Sequence, residues 1–303
     1  MAKFPRLRGM IAATFTPMKE NGDINYDEIK HYADYIASTP VEGVFVNGTT
    51  GEFSSLTVDE RKQILKCWVD AAAGRFKVIC HVGSNCQRDS MELTAHAAAA
   101  GAYGIGCIAP SFFKPATVKD IVDFFAPIAA SAPELPFYYY NMPSMTGVNL
   151  PVDKILAEGR KVMPNFAGTK FTHNNLMEMG VCINLDGGEF EVLHGYDEIL
   201  IAGLAMGAKA GVGSTYNYIP AIYDGIFKAM AVNDVDRARE LQQKSIKTVE
   251  VIIKYGGGVR GGKAIMNLIG IKCGECRSPL SPLSKAEYAA LDADLNALGF
   301  VKA

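Results

Sequence analysis

The chain has 303 residues, 49% of them hydrophobic and 20% charged, with a formal net charge of −2 and a pI near 6.2. This is the composition of an ordinary globular protein; it argues against general affinity for nucleic acid or acidic membranes. The length suits two average domains or one large α/β barrel. The apolar runs are short and interrupted, so no membrane-spanning helix is expected. Residues 1–10 carry Lys3, Arg6 and Arg8 without a following apolar region, so no signal peptide is expected either. Seven cysteines, an odd number scattered through apolar runs, suit a reducing compartment, and a cytoplasmic location is expected.

Along the chain, short apolar runs alternate with longer amphipathic ones. A strand is predicted over 10–16 and a helix over 27–37, then strand 43–47 and helix 57–73, strand 77–82 and helix 90–100, and strand 104–109 and helix 118–130. The second half repeats the pattern: strand 136–141 and helix 152–158, strand 166–171 and helix 174–183, strand 191–194 and helix 198–206, and strand 210–213 and helix 219–231. Thr57 and Thr117 stand where helix N-caps are needed, each followed by acids within three residues. The strands are apolar on both faces, as buried parallel strands are. Eight strand–helix units predict a (β/α)₈ barrel over residues 1–231. A doubly wound sheet would usually carry a glycine-rich phosphate turn after its first strand, but Thr14-Phe15-Thr16-Pro17 is not one.

Residues 232–303 lack strands. Helices are expected over 234–255, 263–268 and 285–298, with Val235, Ala238, Leu241, Ser245, Val249 and Ile252 at near-helical spacing. These form a helical extension packed on the barrel. Gly257-Gly258-Val259-Arg260-Gly261-Gly262-Lys263 approaches a phosphate-binding loop, but Ala264 replaces the required hydroxyl and no strand precedes it. A glycine-built helix cap and turn is the preferred reading. Cys273 and Cys276 form one C-x-x-C pair without two further ligands nearby, so structural thiols are expected rather than a metal or redox site.

In such a barrel, chemistry sits at the C-terminal ends of the strands. Five places qualify. Asn47-Gly48-Thr49-Thr50-Gly51-Glu52 follows the second strand; its amides and hydroxyls suit a small carboxylate, although a tight β-to-α turn reads the same way. The fifth strand ends Tyr138-Tyr139-Tyr140-Asn141-Met142-Pro143. There Tyr138 and Tyr140 share one face, suited either to proton relay or to core packing. The sixth strand carries Gly168-Thr169-Lys170-Phe171-Thr172. Lysine is costly to bury charged, so Lys170 is expected to be partly neutral and nucleophilic unless it pairs with a carboxylate or reaches solvent. His194-Gly195-Tyr196-Asp197-Glu198 places two acids where they could accept bonds from ligand hydroxyls or favour a helix start. Gly213-Ser214-Thr215-Tyr216-Asn217 adds a hydroxyl-rich turn. Together these suit a class I aldolase, in which a lysine imine with a 2-oxo acid accepts electrons as a carbon–carbon bond breaks.

These motifs together resemble the dihydrodipicolinate synthase/N-acetylneuraminate lyase family over nearly the whole chain. The resemblance implies that Lys170 forms the Schiff base with the pyruvate unit and that Tyr140 exchanges a proton with the substrate's C4 hydroxyl. It implies that Thr49 and Thr50 hold the carboxylate, and that Thr172, Gly195, Asp197, Glu198 and Ser214 contact the sugar chain. The implied reaction is reversible cleavage of N-acetylneuraminate into N-acetylmannosamine and pyruvate, without metal or organic cofactor, in a homotetramer. Dihydrodipicolinate synthases carry an arginine two residues beyond the position of Pro143, for a second carboxylate; here Met145 stands there, which favours the sialic acid branch. The remaining alternatives are an aldolase or dehydratase for another 2-oxo sugar acid, and a non-catalytic barrel that senses sialic acid or pyruvate. Relatives often place a relay tyrosine after the fourth strand, where this chain has Phe112-Phe113. The substrate carboxylate or water is then expected to complete the proton path, and truncating either ring to perturb packing and binding more than proton transfer.

Overall fold

The computed structural model describes residues 4–300, so Lys3 of the basic N-terminal stretch lies outside the described residues. Eight parallel strands close in sequence order: β1 (Gly9–Ala13), β2 (Gly43–Val46), β3 (Lys77–His81), β4 (Gly104–Ile108), β5 (Phe137–Asn141), β6 (Phe166–Phe171), β7 (Glu191–His194) and β8 (Ala210–Gly213). The closing contact pairs β1 with β8, Gly9 opposite Ala210. Inward side chains, among them Ile11, Phe45, Ile79, Ile108, Tyr138, Tyr140, Leu193 and Val212, fill the barrel. Their neighbours in the strands, such as Val44, Cys80, Tyr139 and Phe171, face the helices and join the larger outer core. This two-sided burial is why the strands read as continuous apolar runs.

Helices α1 (Tyr26–Ala37), α2 (Val58–Ala72), α3 (Gln87–Ala100), α4 (Val118–Ala130), α5 (Pro143–Thr146), α6 (Val152–Val162), α7 (Leu176–Asn184), α8 (Leu200–Ala205) and α9 (Pro220–Ala231) connect the strands and follow the last. Thr57 and Thr117 each complete a capping box, with Glu60 and Asp120 as partners. The helix expected over 198–206 is instead a 3₁₀ turn, Asp197–Ile199, followed by the short α8. β1 ends at Ala13, three residues before its expected end. The short α5 had no counterpart in the sequence reading, because Pro143 starts it inside an apparent loop.

Three helices complete the fold: α10 (Val235–Lys254), α11 (Gly257–Leu268) and α12 (Lys285–Ala297). The glycine-rich run is therefore not a cap and turn but the first half of α11. Its glycines permit close packing: a Cβ on Gly262 would lie 2.7 Å from the Phe15 ring, and one on Gly261 would lie 2.8 Å from the Ile252 carbonyl oxygen. No described helix is long and apolar enough to cross a membrane.

Cys80, Cys107 and Cys273 are buried; Cys276 is half-buried. Burial pushes the Cys80 and Cys276 thiols up to about 12, which keeps them protonated and inert. Among the described residues, no group of three metal-ligating side chains forms around the C-x-x-C pair or elsewhere.

Candidate active site

The register of β5 against β6 sets Tyr140 directly opposite Lys170. Both point inward at the C-terminal end of the barrel. Lys170 is 5% exposed. Its Nζ lies 4.0 Å from the centre of the Tyr140 ring and 4.5 Å from that of Phe45. Among the described residues, no carboxylate pairs with it; a buried salt bridge is therefore not what this lysine makes. Both rings turn their faces toward the amine. Two residues earlier, Gly168 allows β6 and β7 to approach, since a Cβ there would fall 1.9 Å from the Glu191 carbonyl oxygen.

The Tyr140 hydroxyl lies 3.2 Å from Thr49 Oγ1 and 3.0 Å from Met142 Sδ. Its ring packs edge-on against Phe45 and His81. Tyr138 shares that inward face but lies deeper, donating to Glu191 Oε1 at 3.0 Å, and Tyr139 faces outward into the helix layer.

Thr49 and Thr50, both half-buried, stand on the turn between β2 and α2. Asn47 and Glu52 bracket that turn with positive φ values of 58° and 59°. Its fixtures come from several elements. Thr16 Oγ1 donates to the Gly51 carbonyl at 2.7 Å, Asn47 Nδ2 donates to the Arg61 carbonyl at 2.9 Å, and His81 Nδ1 lies 2.8 Å from the Asn47 carbonyl. Arg61 is buried and has no carboxylate partner among the described residues; its guanidinium donates to the carbonyls of His81 and Gly83 at the end of β3. Burial, followed by the Arg61 charge, pushes His81 well below its usual value, so the ring is neutral. The sequence reading missed both residues. Arg61, a cation in an amphipathic helix, resembled an ordinary surface position; His81 stands at the C-terminal end of a strand, a place that carries chemistry in such a barrel, and that signal could have found it.

On the other side of the mouth, Gly195 approaches Thr172 so closely that a Cβ would lie 2.0 Å from Thr172 Oγ1. That hydroxyl is buried and unpartnered among the described residues. Asp197 is buried and accepts from the Thr215 amide at 2.9 Å and the Thr215 hydroxyl at 2.6 Å. Its Oδ1 has no partner among the described residues and occupies the space a Cβ on Gly213 would need. Burial pushes the Asp197 carboxyl up to about 6, against the bonds from Thr215 that favour its charged form. Glu198 and Ser214 are half-buried on the neighbouring rim turns. Every sequence-predicted site residue therefore lies at the same end of the barrel. Lys170, Tyr140 and Thr49 form a continuous set, and Thr172, Gly195 and Asp197 follow along the β6–β8 side.

Residues 6–298 match the model of the dihydrodipicolinate synthetase family. The chain belongs to that family. A Mus musculus member, an N-acetylneuraminate lyase, is 42% identical over 98% of this chain and 95% of its own length. Among solved structures, the Proteus mirabilis N-acetylneuraminate lyase superposes with a TM-score of 0.95 at 37% identity, covering 98% of this chain and 100% of that one. The N-acetylneuraminate lyase (sialic acid aldolase) of Aliivibrio salmonicida gives a TM-score of 0.95 at 38% identity, covering 99% of both chains. Family membership accounts for the closed barrel and its C-terminal helices together, since all three matches run almost end to end.

Proposed function

We propose that this protein is a class I aldolase that reversibly cleaves N-acetylneuraminate into N-acetylmannosamine and pyruvate. The observation that carries the reading is Lys170: a buried amine at the barrel mouth, over the Tyr140 ring and without a carboxylate partner among the described residues. A sensor barrel would need no such amine. The near end-to-end likeness to N-acetylneuraminate lyases supports the substrate.

In this reading the unprotonated Lys170 amine attacks the C2 carbonyl of the open-chain sugar acid and water leaves, giving an imine. The C4 hydroxyl then gives up its proton through Tyr140 to the substrate carboxylate or water, the C3–C4 bond breaks, and its electron pair moves into the protonated imine to form a neutral enamine. The new C4 aldehyde departs as N-acetylmannosamine. The enamine takes a proton at C3, and water hydrolyses the resulting imine to pyruvate and free Lys170. Thr49 and Thr50 hold the C1 carboxylate through hydroxyls and turn amides. Thr49 also touches the Tyr140 hydroxyl, so carboxylate binding and proton transfer share one residue. The buried, unpartnered Thr172 hydroxyl and Asp197 Oδ1 supply polar contacts for the sugar chain, with Gly195, Glu198 and Ser214 beside them. Met145, 64% exposed on α5, offers no charge to a second carboxylate.

Borohydride reduction in the presence of pyruvate tests the mechanism. A stable adduct is expected on Lys170, absent in Lys170→Ala. Tyr140→Phe should still be labelled while losing most cleavage, about 10²- to 10⁴-fold, the range of general acid–base catalysis. An unlabelled wild type, or label retained in Lys170→Ala, would overturn the reading. Assaying N-acetylneuraminate against other 2-oxo sugar acids fixes the substrate.

A further inference from the structure

Lys263 ends the glycine-rich run that imitates a phosphate loop, yet it lies within α11 with 1% of its side chain exposed. Its Nζ donates to Glu52 Oε1 at 2.8 Å and to the Glu275 carbonyl at 2.8 Å. Glu52, 2% exposed at its side chain, accepts on its other oxygen from the Arg277 amide at 2.9 Å. Both carboxylate oxygens are thus engaged by residues from the C-terminal part of the chain.

Glu52 closes the turn that carries Thr49 and Thr50. It holds a left-handed conformation, and its amide donates to the Thr49 carbonyl at 3.0 Å. A non-glycine residue keeps such a backbone only when its surroundings fix it. The surroundings here are the ion pair: neither charge can move without leaving the other buried and alone. Among the described residues, this is the one ion pair with both side chains almost wholly buried; the other pairs are partly or largely exposed.

We propose that Lys263 is a positioning residue for the carboxylate-binding turn. Through Glu52 it holds Thr49 and Thr50 where the substrate carboxylate docks and keeps Thr49 against the Tyr140 hydroxyl. Lys263 touches no substrate. The inference rests on the aldolase reading and adds to it a role for the C-terminal helices.

The test compares trapping on Lys170 by pyruvate with trapping by acetone, a carbonyl compound lacking the carboxylate, using cyanoborohydride. Lys263→Met and Glu52→Gln should each raise the pyruvate concentration for half-maximal trapping about tenfold to a hundredfold, the scale on which small misplacements act. Acetone trapping should stay within about twofold, as for independent sites. The double variant Glu52→Gln/Lys263→Met buries no lone charge, and it carries the same test where a single variant fails to fold. Its pyruvate shift should be no larger than that of either single, because the two side chains act as a unit. Equal shifts for pyruvate and acetone would mean general loosening and overturn the proposal, as would an unchanged pyruvate response. A wild type that pyruvate does not label would instead remove the aldolase reading itself.

Discussion

At the scale of single residues, the proposed site makes Asp197 a link between stability and binding through one proton. Its carboxyl is pushed by burial from 3.8 up to about 6. The folded value lies above the unfolded one, so the contribution to stability is complete below about pH 3.8 and is lost as pH rises through about 6. Its size is about 3 kcal/mol across that window. Asp197→Asn abolishes the titration, so the wild type should lose thermal stability relative to this variant between pH 4 and pH 7. A melting-temperature difference that stays flat across this range would refute the assignment. Bonds from sugar hydroxyls to the carboxylate favour its charged form, so the KM for N-acetylneuraminate should rise as pH falls below about 6. The Asp197→Asn variant should show no such step. The sequence identified Asp197 by its place after a strand. It could not show the burial behind its shift, since Gly213 at the end of β8 and Thr215 in the turn after it reach Asp197 only in the folded barrel. The same limit hid Lys263, whose partner Glu52 lies 211 positions away.

At the scale of elements, the strands were readable because burial on both faces leaves few polar residues inside them, and the capped helices because Thr57 and Thr117 begin them visibly. Element ends were less so. The expected helix over 198–206 breaks where Asp197 turns in to meet Thr215, and α11 begins early because its glycines serve packing rather than a turn. Gly168 shows how one element sets the site. It pairs with Glu191 across β6 and β7, and no side chain fits between them. Gly168→Ala must spread the strands two residues before Lys170. It should lower the melting temperature and sharply reduce pyruvate trapping together. Thr57→Ala is the counterpart: losing the capping box should cost about 1 kcal/mol of stability and leave trapping unchanged. Trapping at the wild-type level in folded Gly168→Ala would show that β6 tolerates the spread and that Lys170 is positioned by other contacts.

For the whole molecule, counting strand–helix units gave the barrel, but only the pairing of β1 with β8 closes it. Closure brings turns far apart in sequence to one mouth. In the site proposed above, it also lets a chain of net charge −2 take an anionic substrate through amides, hydroxyls and one amine acting locally, so no basic surface is required. Phe112 and Phe113 stand on the loop after β4. They are 77% and 86% exposed, and their rings meet each other edge-on at 5.0 Å. Truncating them therefore removes little packing within one chain. Our proposal for the assembly is a homotetramer, as the family resemblance implies, and sedimentation should return four times the 32.6 kDa chain mass. A mass of one chain would refute it. Because phenyl groups carry no exchangeable proton, a variant with both Phe112→Ala and Phe113→Ala should keep the pH profile of kcat. Its loss, measured on the same sample, should fall on assembly mass or KM. A displaced kcat profile would instead tie this loop to the proton path between Tyr140 and the C4 hydroxyl.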